Sequence, residues 1–303
     1  MNFPKLSTTL LMDRLTLPRG KINMVLDTDT FNEVDDQFAV VYALRSKARL
    51  NVEALYAAPF FNELSSGPGD GMEKSYEEIH RVLDRMNEKV PEGFVLRGST
   101  RYLESLDTPC RSDAAGDLIR RAMAATEPLY VVAIGAITNI ASAMLIEPRI
   151  IGKIVVVWLG GHALYWPHTR EFNLQQDVLA ARVVFDSGVP LVMLPCENVV
   201  SHLTTTVAEL EKYVDGKSDI GSFLTGKVRA CGRENVAGSR VIWDVSTIAY
   251  LNNPAWVPTN LVHSPILTDQ VTWSADQGRH LIRVATHLDR DLIMTDLFMK
   301  ING

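Results

Sequence analysis

The sequence predicts an α/β protein, an open and mostly parallel sheet with helices on both faces, organised as one domain over residues 1–303. Short, nearly continuous apolar runs carry this reading. Ile22 to Leu26, Leu129 to Ile134 and Ile154 to Leu159 suit strands buried on both faces of a parallel sheet. From residue 22 to residue 98 such runs alternate with stretches of helical period, in the order β-α-β-α-β. With 303 residues, 47 % of them hydrophobic, the chain can also bury a large core.

The first unit is Ile22 to Leu44, INMVLDTDTFNEVDDQFAVVYAL, which gathers four aspartates and a glutamate between two apolar segments. Phe38, Val41, Tyr42 and Arg45 follow at helical spacing, so the unit reads as strand, acidic loop, helix. Asp27 and Asp29 then sit at the carboxyl end of a strand, where open α/β sheets bind ligands, and Asp35 and Asp36 in the helix's first turn. Val52 to Ala58 is a second strand. Ser65 to Gly71, SSGPGDG, reads as an irregular connection, and Tyr76 to Met86 as an amphipathic helix on which His80 is a packed or surface residue. Phe94 to Gly98 is a third strand and Asp117 to Thr126 a helix.

Leu129 to Ile134 runs through Gly135-Ala136-Ile137-Thr138-Asn139 into a helix over Ile140 to Ile146. Ile154 to Leu159, the most apolar strand, ends in Gly160-Gly161 and a loop with His162, Tyr165, Trp166 and His168. Glu171-Phe172-Asn173 and Asp177 follow, with Asp177 placed to cap the helix through Phe185. Val189 to Leu194 is a strand, and Leu210 to Val228 is helical with breaks expected at Gly216, Gly221 and Gly226. Val241 to Val245 leads into a helix from Ser246. Val271 to Phe298 reads as short strands with a charged turn, with His280, His287 and Asp291 on the surface.

Composition narrows the partners. A net charge of -6 and a pI near 5.7 argue against nucleic-acid binding. No apolar run reaches the roughly 20 residues of a membrane span, and Thr9 to Met12 is too short for a secretory signal. Three widely spaced cysteines, Cys110, Cys196 and Cys231, suggest reduced thiols in the cytoplasm. The crowded carboxylates of the first unit must be protonated, paired or neutralised by a cation. With no Cys or His among them, an all-oxygen site selects Ca2+ or Mg2+. The alternative is plain helix capping by Asn32 or Asp35, with the other acids on a solvated loop.

Asp27-Thr28-Asp29, then Asp35-Asp36 and an apolar helix, resembles the amino-terminal signature of the inosine/uridine-preferring nucleoside hydrolases, with a connection two residues longer than usual. Ile134 to Asn139 is similar to the family's strand end and T-G-P-L-T-N turn, and Glu171 to Asp177 to its E-F-N-x-x-x-D. Asp244 occupies the aspartate position of its H-D-P-x-A, with Trp243 in place of the histidine. The resemblance implies a Rossmann-like core and cleavage of the N-glycosidic bond of a ribonucleoside or related N-ribosyl compound. It implies a Ca2+ caged by Asp29, Asp36, the carbonyl of Ile134 and Asp244, with Asp29 taking the proton of the attacking water. Asp35, Asn62, Glu171 and Asn173 would hold the ribose and Trp243 would stack on the base, while His162, Tyr165 and His168 offer substitutes for the leaving-group acid. A homo-oligomer, dimer or tetramer, is implied by analogy. Two other activities are open on the residues. A haloacid dehalogenase-type phosphatase shares the D-x-D start but needs Thr or Val at Phe31, and a calcium-dependent sugar or nucleoside binding protein would keep the cage without turnover. A purely structural α/β protein is the third alternative.

Overall fold

The computed structural model describes residues 3–231 and 238–303. The chain opens with α1 (Thr8–Arg14) and β1 (Ile22–Thr28), followed by α2 (Asp35–Arg45), β2 (Leu50–Ala57), α3 (Pro68–Met86) and β3 (Val95–Arg97). Next come α4 (Asp113–Ala124), β4 (Leu129–Ala133), α5 (Thr138–Ile146), β5 (Ile154–Leu159), α6 (Phe172–Gln176), α7 (Val178–Ser187) and β6 (Leu191–Leu194). The last third holds β7 (Thr204–Thr205), α8 (Val207–Tyr213), α9 (Asp219–Ala230), β8 (Arg240–Val241), α10 (Val245–Asn252) and β9 (Thr259–His263). It closes with β10 (Ile266–Leu267), β11 (Trp273–Ser274), β12 (Leu281–Ala285) and α11 (Arg290–Asn302).

Eight strands form one sheet in the order β3-β2-β1-β4-β5-β6-β12-β9. All neighbours are parallel except β9, which runs antiparallel to β12. The apolar runs become interior strands because both faces are covered. Met24 and Leu26 of β1 pack into one apolar layer with residues of α2, α3, α10 and α11, while Val25 faces a second layer with α4, α5 and α7. The chain builds β1, β2 and β3 in one direction and then returns to place β4 on the other side of β1. That reversal opens a crevice at the carboxyl ends of β1 and β4, the place where such sheets bind ligands.

Several local expectations are corrected. Gly69 and Gly71 do not keep their segment irregular, because α3 begins at Pro68. Proline in a first helical turn gives up an N–H that has no partner there anyway. A Cβ on Gly71 would stand 2.0 Å from the Phe60 carbonyl oxygen, so this glycine lets α3 pass close to the chain leaving β2. The helix expected from Asp117 starts at Asp113, capped by the Ser112 hydroxyl, which accepts from the Ala115 N–H at 3.1 Å. Gly221 and Gly226 lie inside α9, and the only interruption of that region falls between Tyr213 and Asp219. Arg290–Asn302 is a helix rather than strand and turn, begun by Asp289, which accepts from the Leu292 N–H. Helix α1 and the edge strand β9 were not anticipated. His287 and Asp291 are exposed as expected, whereas His280 is partly buried.

Helix α2 carries two acids into the crevice and is anchored from behind. The Glu78 carboxylate of α3, fully buried, accepts from Gln37 Nε2 at 3.1 Å and pairs with Lys227 Nζ of α9 at 2.7 Å and with Arg81. It therefore ties three helices together at the first turn of α2. Glu78→Ala is expected to lower stability by about 2 kcal/mol in urea denaturation, less than for a fully buried pair because Lys227 and Arg81 can reach water. Unchanged stability would mean that the tether contributes nothing.

Candidate active site

The carboxyl ends of β1, β4, β5 and β6 and the start of α10 surround a cavity of about 340 Å³, within the usual range for small-molecule sites. Asp29, Asp35, Asp36, Ile134, Glu171, Asn173, Trp243 and Asp244 all line it. Of the residues singled out in the sequence, Asn62 stands behind the wall, donating from Nδ2 to Asn32 Oδ1 at 2.6 Å. Residues about two hundred positions apart thus meet because α10 packs against α2 on one face of the sheet.

Local structure explains how each acid is held. Asp27 ends inside β1, where its Oδ1 accepts from Asn139 Nδ2 at 2.7 Å; burial pushes its pKa up to about 7. Asp29 follows the last residue of β1, with Gly135 of the β4 end beside it. A Cβ on Gly135 would come within 3.0 Å of the Asp29 carboxylate, so a side chain there would occupy the acid's space. Asp35 and Asp36 project from the first turn of α2. Neither Asn32 nor Asp35 caps that helix, since Val34 is at the N-cap without a side-chain bond.

The acids form a buried cluster. Asp29, Asp35, Asp36 and Asp244 are each at most 4 % exposed, and one carboxyl oxygen each from Asp35, Asp36 and Asp244 lie within 4.8 Å of one another. Neither buried carboxyl oxygen of Asp29 makes a hydrogen bond within ordinary distance among the described residues. Burial first, and the Asp36 charge second, hold Asp29 well above the ordinary carboxylate range. Burial also raises Asp244 and Asp35, with Asp35 acting on the first and Glu33 on the second. Asp36 is pushed up to about 7 by burial, opposed by the Thr28 hydroxyl, which donates to it at 2.5 Å.

Glu171 accepts from the backbone N–H groups of Gly161 (2.8 Å), Asn173 (2.8 Å) and Leu174 (3.0 Å), so it caps α6 while facing the cavity. Asn173 Nδ2 donates to the carbonyls of Ile134 (3.2 Å) and Leu159 (3.0 Å), bridging the ends of β4 and β5. Asp177 caps α7 through the Ala180 N–H and also accepts from Thr138 Oγ1 at 2.7 Å. His162 lines the cavity, with Nδ1 accepting from the Glu197 N–H at 3.3 Å. Tyr165 is 73 % exposed and outside the lining, and the His168 ring packs tilted against His162 at 5.5 Å between ring centroids. Arg170, Cys196 and Glu197 line the cavity without having been singled out. The position of Cys196 and Glu197 just after β6, at the same sheet edge as Asp29, was the available signal.

The model of the inosine-uridine preferring nucleoside hydrolase family matches residues 24–295. A pyrimidine-specific ribonucleoside hydrolase of Escherichia coli is 33 % identical over 175 residues, 55 % of this chain and 54 % of that protein. Relatives in Shigella boydii and Shigella dysenteriae match over 69 % and 62 % of their length, so the similarity spans about half to two thirds of these proteins. Among solved structures, a purine-preferring ribonucleoside hydrolase from Gardnerella vaginalis superposes with a TM-score of 0.76 at 21 % identity, covering 93 % of this chain and 98 % of the other. A plant nucleoside hydrolase gives 0.74 at 19 % identity over 94 % of this chain and 100 % of the other, so the two share its fold. With a family model spanning nearly all of the sheet and both ends of the acidic cluster, the chain belongs to the inosine-uridine preferring nucleoside hydrolase family.

Proposed function

We propose that the chain hydrolyses the N-glycosidic bond of ribonucleosides to ribose and free base. The observation that supports this most directly is the meeting of Asp29, Asp35, Asp36 and Asp244 with Glu171 and Asn173 in one cavity. The donor set fits a hard divalent cation. It is all oxygen, it includes the two unpartnered oxygens of Asp29, and the tight Asp35, Asp36 and Asp244 triple is a buried excess of negative charge. We assign Asp29, Asp36, Asp244 and the Ile134 carbonyl to Ca2+. When bound, such an ion offsets the cluster's charge and lowers the pKa of a water at the site.

The chain's own groups supply the rest. Asp29, with both oxygens uncommitted, takes the proton of water as it attacks the anomeric carbon. Asp35, Asn173 and Glu171 hold ribose hydroxyls, fixing the sugar as positive charge develops on its ring. The backbone bonds of Glu171 and Asn173 give these groups little freedom to reorient. Asn62 acts through Asn32 as a positioning residue. The Trp243 indole stacks on the base. Two further readings accompany this one. The cysteines form no disulfide and Cys231 is exposed, which supports a reducing compartment, the cytoplasm. A homo-oligomer, dimer or tetramer, follows by family analogy and is read by light scattering.

Curated relatives named for pyrimidine specificity and a structural neighbour named for purine preference make both base classes necessary in the assay. Ribose release is expected from at least one ribonucleoside of such a panel and is expected to vanish with a chelator. Asp29→Asn should lower kcat by about 10³-fold without loss of folding. Absence of ribose from every nucleoside would favour a binding protein, and full activity after metal removal would refute the cage.

Stability gives an independent measurement. Because the folded pKa of Asp36 stands near 7, above the ordinary 3.8, the fold binds this proton more tightly than the open chain. Its contribution is complete below 3.8 and is lost as pH rises through about 7. The metal-free protein is therefore expected to lose melting temperature between about pH 4 and pH 7, and Ca2+ to restore it more at pH 8 than at pH 5. A calcium effect independent of pH would contradict this assignment.

A further inference from the structure

Resting on the hydrolase reading above, we propose that the preferred substrates are ribosides whose leaving nitrogen already carries a positive charge, N-ribosylpyridinium compounds above all. The cavity wall favours cations. Seven of its sixteen lining residues are acidic, and Arg170 alone carries a fixed positive charge. A divalent ion would keep the clustered carboxyls ionised while offsetting two of those charges, so the loaded site would keep a negative potential that draws in cationic ligands. Arg170 is exposed and donates to the Gln270 carbonyl oxygen at 3.2 Å, and Glu33 is paired with Arg240. Glu197, by contrast, makes no ion pair among the described residues and shares the wall with Trp243.

The same wall is poor in acids for a departing base. His162 is its only imidazole, and an Nδ1 that accepts the Glu197 N–H belongs to a neutral ring with a single proton, on Nε2. Burial, with His168 second, pushes the His162 pKa down to about 4, which agrees with that geometry. Indole and guanidinium are not acids at neutral pH. The Cys196 thiol is buried, and burial together with the Glu171 charge raises it well above its ordinary value.

A neutral base would depart as an anion and would need a proton from this wall. In a pyridinium riboside the electron pair of the C1′–N bond returns to the ring nitrogen and cancels its charge, so the heterocycle leaves neutral. The water oxygen bonds to the anomeric carbon and its proton passes to Asp29, which balances the step without an acid on the leaving side. While bound, the cationic ring gains from the face of Trp243 and the charge of Glu197.

The test compares ribose release by the calcium-loaded chain from N-ribosylnicotinamide, uridine and inosine. The expected kcat/KM for the pyridinium riboside is at least about tenfold above either neutral nucleoside. Glu197→Gln and Trp243→Leu should each shrink that ratio several-fold. As a binding readout, the 1-methylnicotinamide cation should inhibit competitively at lower concentration than neutral nicotinamide. A kcat/KM on uridine or inosine equal to or above that on N-ribosylnicotinamide overturns the charge preference and leaves the hydrolase reading intact. A ratio unmoved by both substitutions overturns the assignment to these residues. No ribose from any of the three overturns the reading on which the proposal rests.

Discussion

Four carboxylates buried at one point are the constraint around which this molecule is arranged. Asp29, Asp35, Asp36 and Asp244 are nearly inaccessible, and three of them bring oxygens within 4.8 Å of one another. Two like charges at such a distance cost roughly 3 kcal/mol even at an effective dielectric near 20. Proteins rarely hold such an arrangement unless a proton or a cation relieves it. The protonation tendencies of Asp29, Asp36 and Asp244 and the unpartnered oxygens of Asp29 express the same imbalance.

The scaffold makes that arrangement possible by rigidity behind the acids. Strand β1 is interior and pairs with β2 on one side and β4 on the other, which fixes where its end points. Asn139 holds the buried Asp27 and also accepts from the Ser99 N–H at 2.7 Å, joining β1 to the chain after β3. Glu78 holds the first turn of α2 against α3 and α9. A glycine at 135 leaves the space that the Asp29 carboxylate fills. Each device serves position.

Glu171 and Asn173 are immobilised by backbone partners at 2.8 to 3.2 Å, so their geometry exists before a ligand arrives. The cavity wall also holds Trp243, a neutral His162 and Glu197, which makes no ion pair among the described residues, and the Phe31 ring lies 5.6 Å from Lys227 Nζ of α9. The acidic loop is two residues longer than the usual family form, and Phe31 belongs to it.

The amino-acid pattern by itself determined the interior parallel strands and most helices, because apolar runs flanked by turn residues can be satisfied only in a doubly covered sheet. That Asp29, Asp35 and Asp36 gather at the end of a buried strand was legible from charge placed where it has no packing purpose, whereas Glu171, Asn173 and Asp244, which line the same cavity, were singled out only through the family resemblance. Tertiary structure alone decided the partners. That Asn62 supports Asn32 from outside the cavity, that Glu197 and Trp243 both line it, and that Gly71 sits inside a helix instead of breaking it all depend on which surfaces approach. Local period and residue type record what a segment prefers, whereas contact between segments far apart in the chain is fixed only when the whole core closes over them.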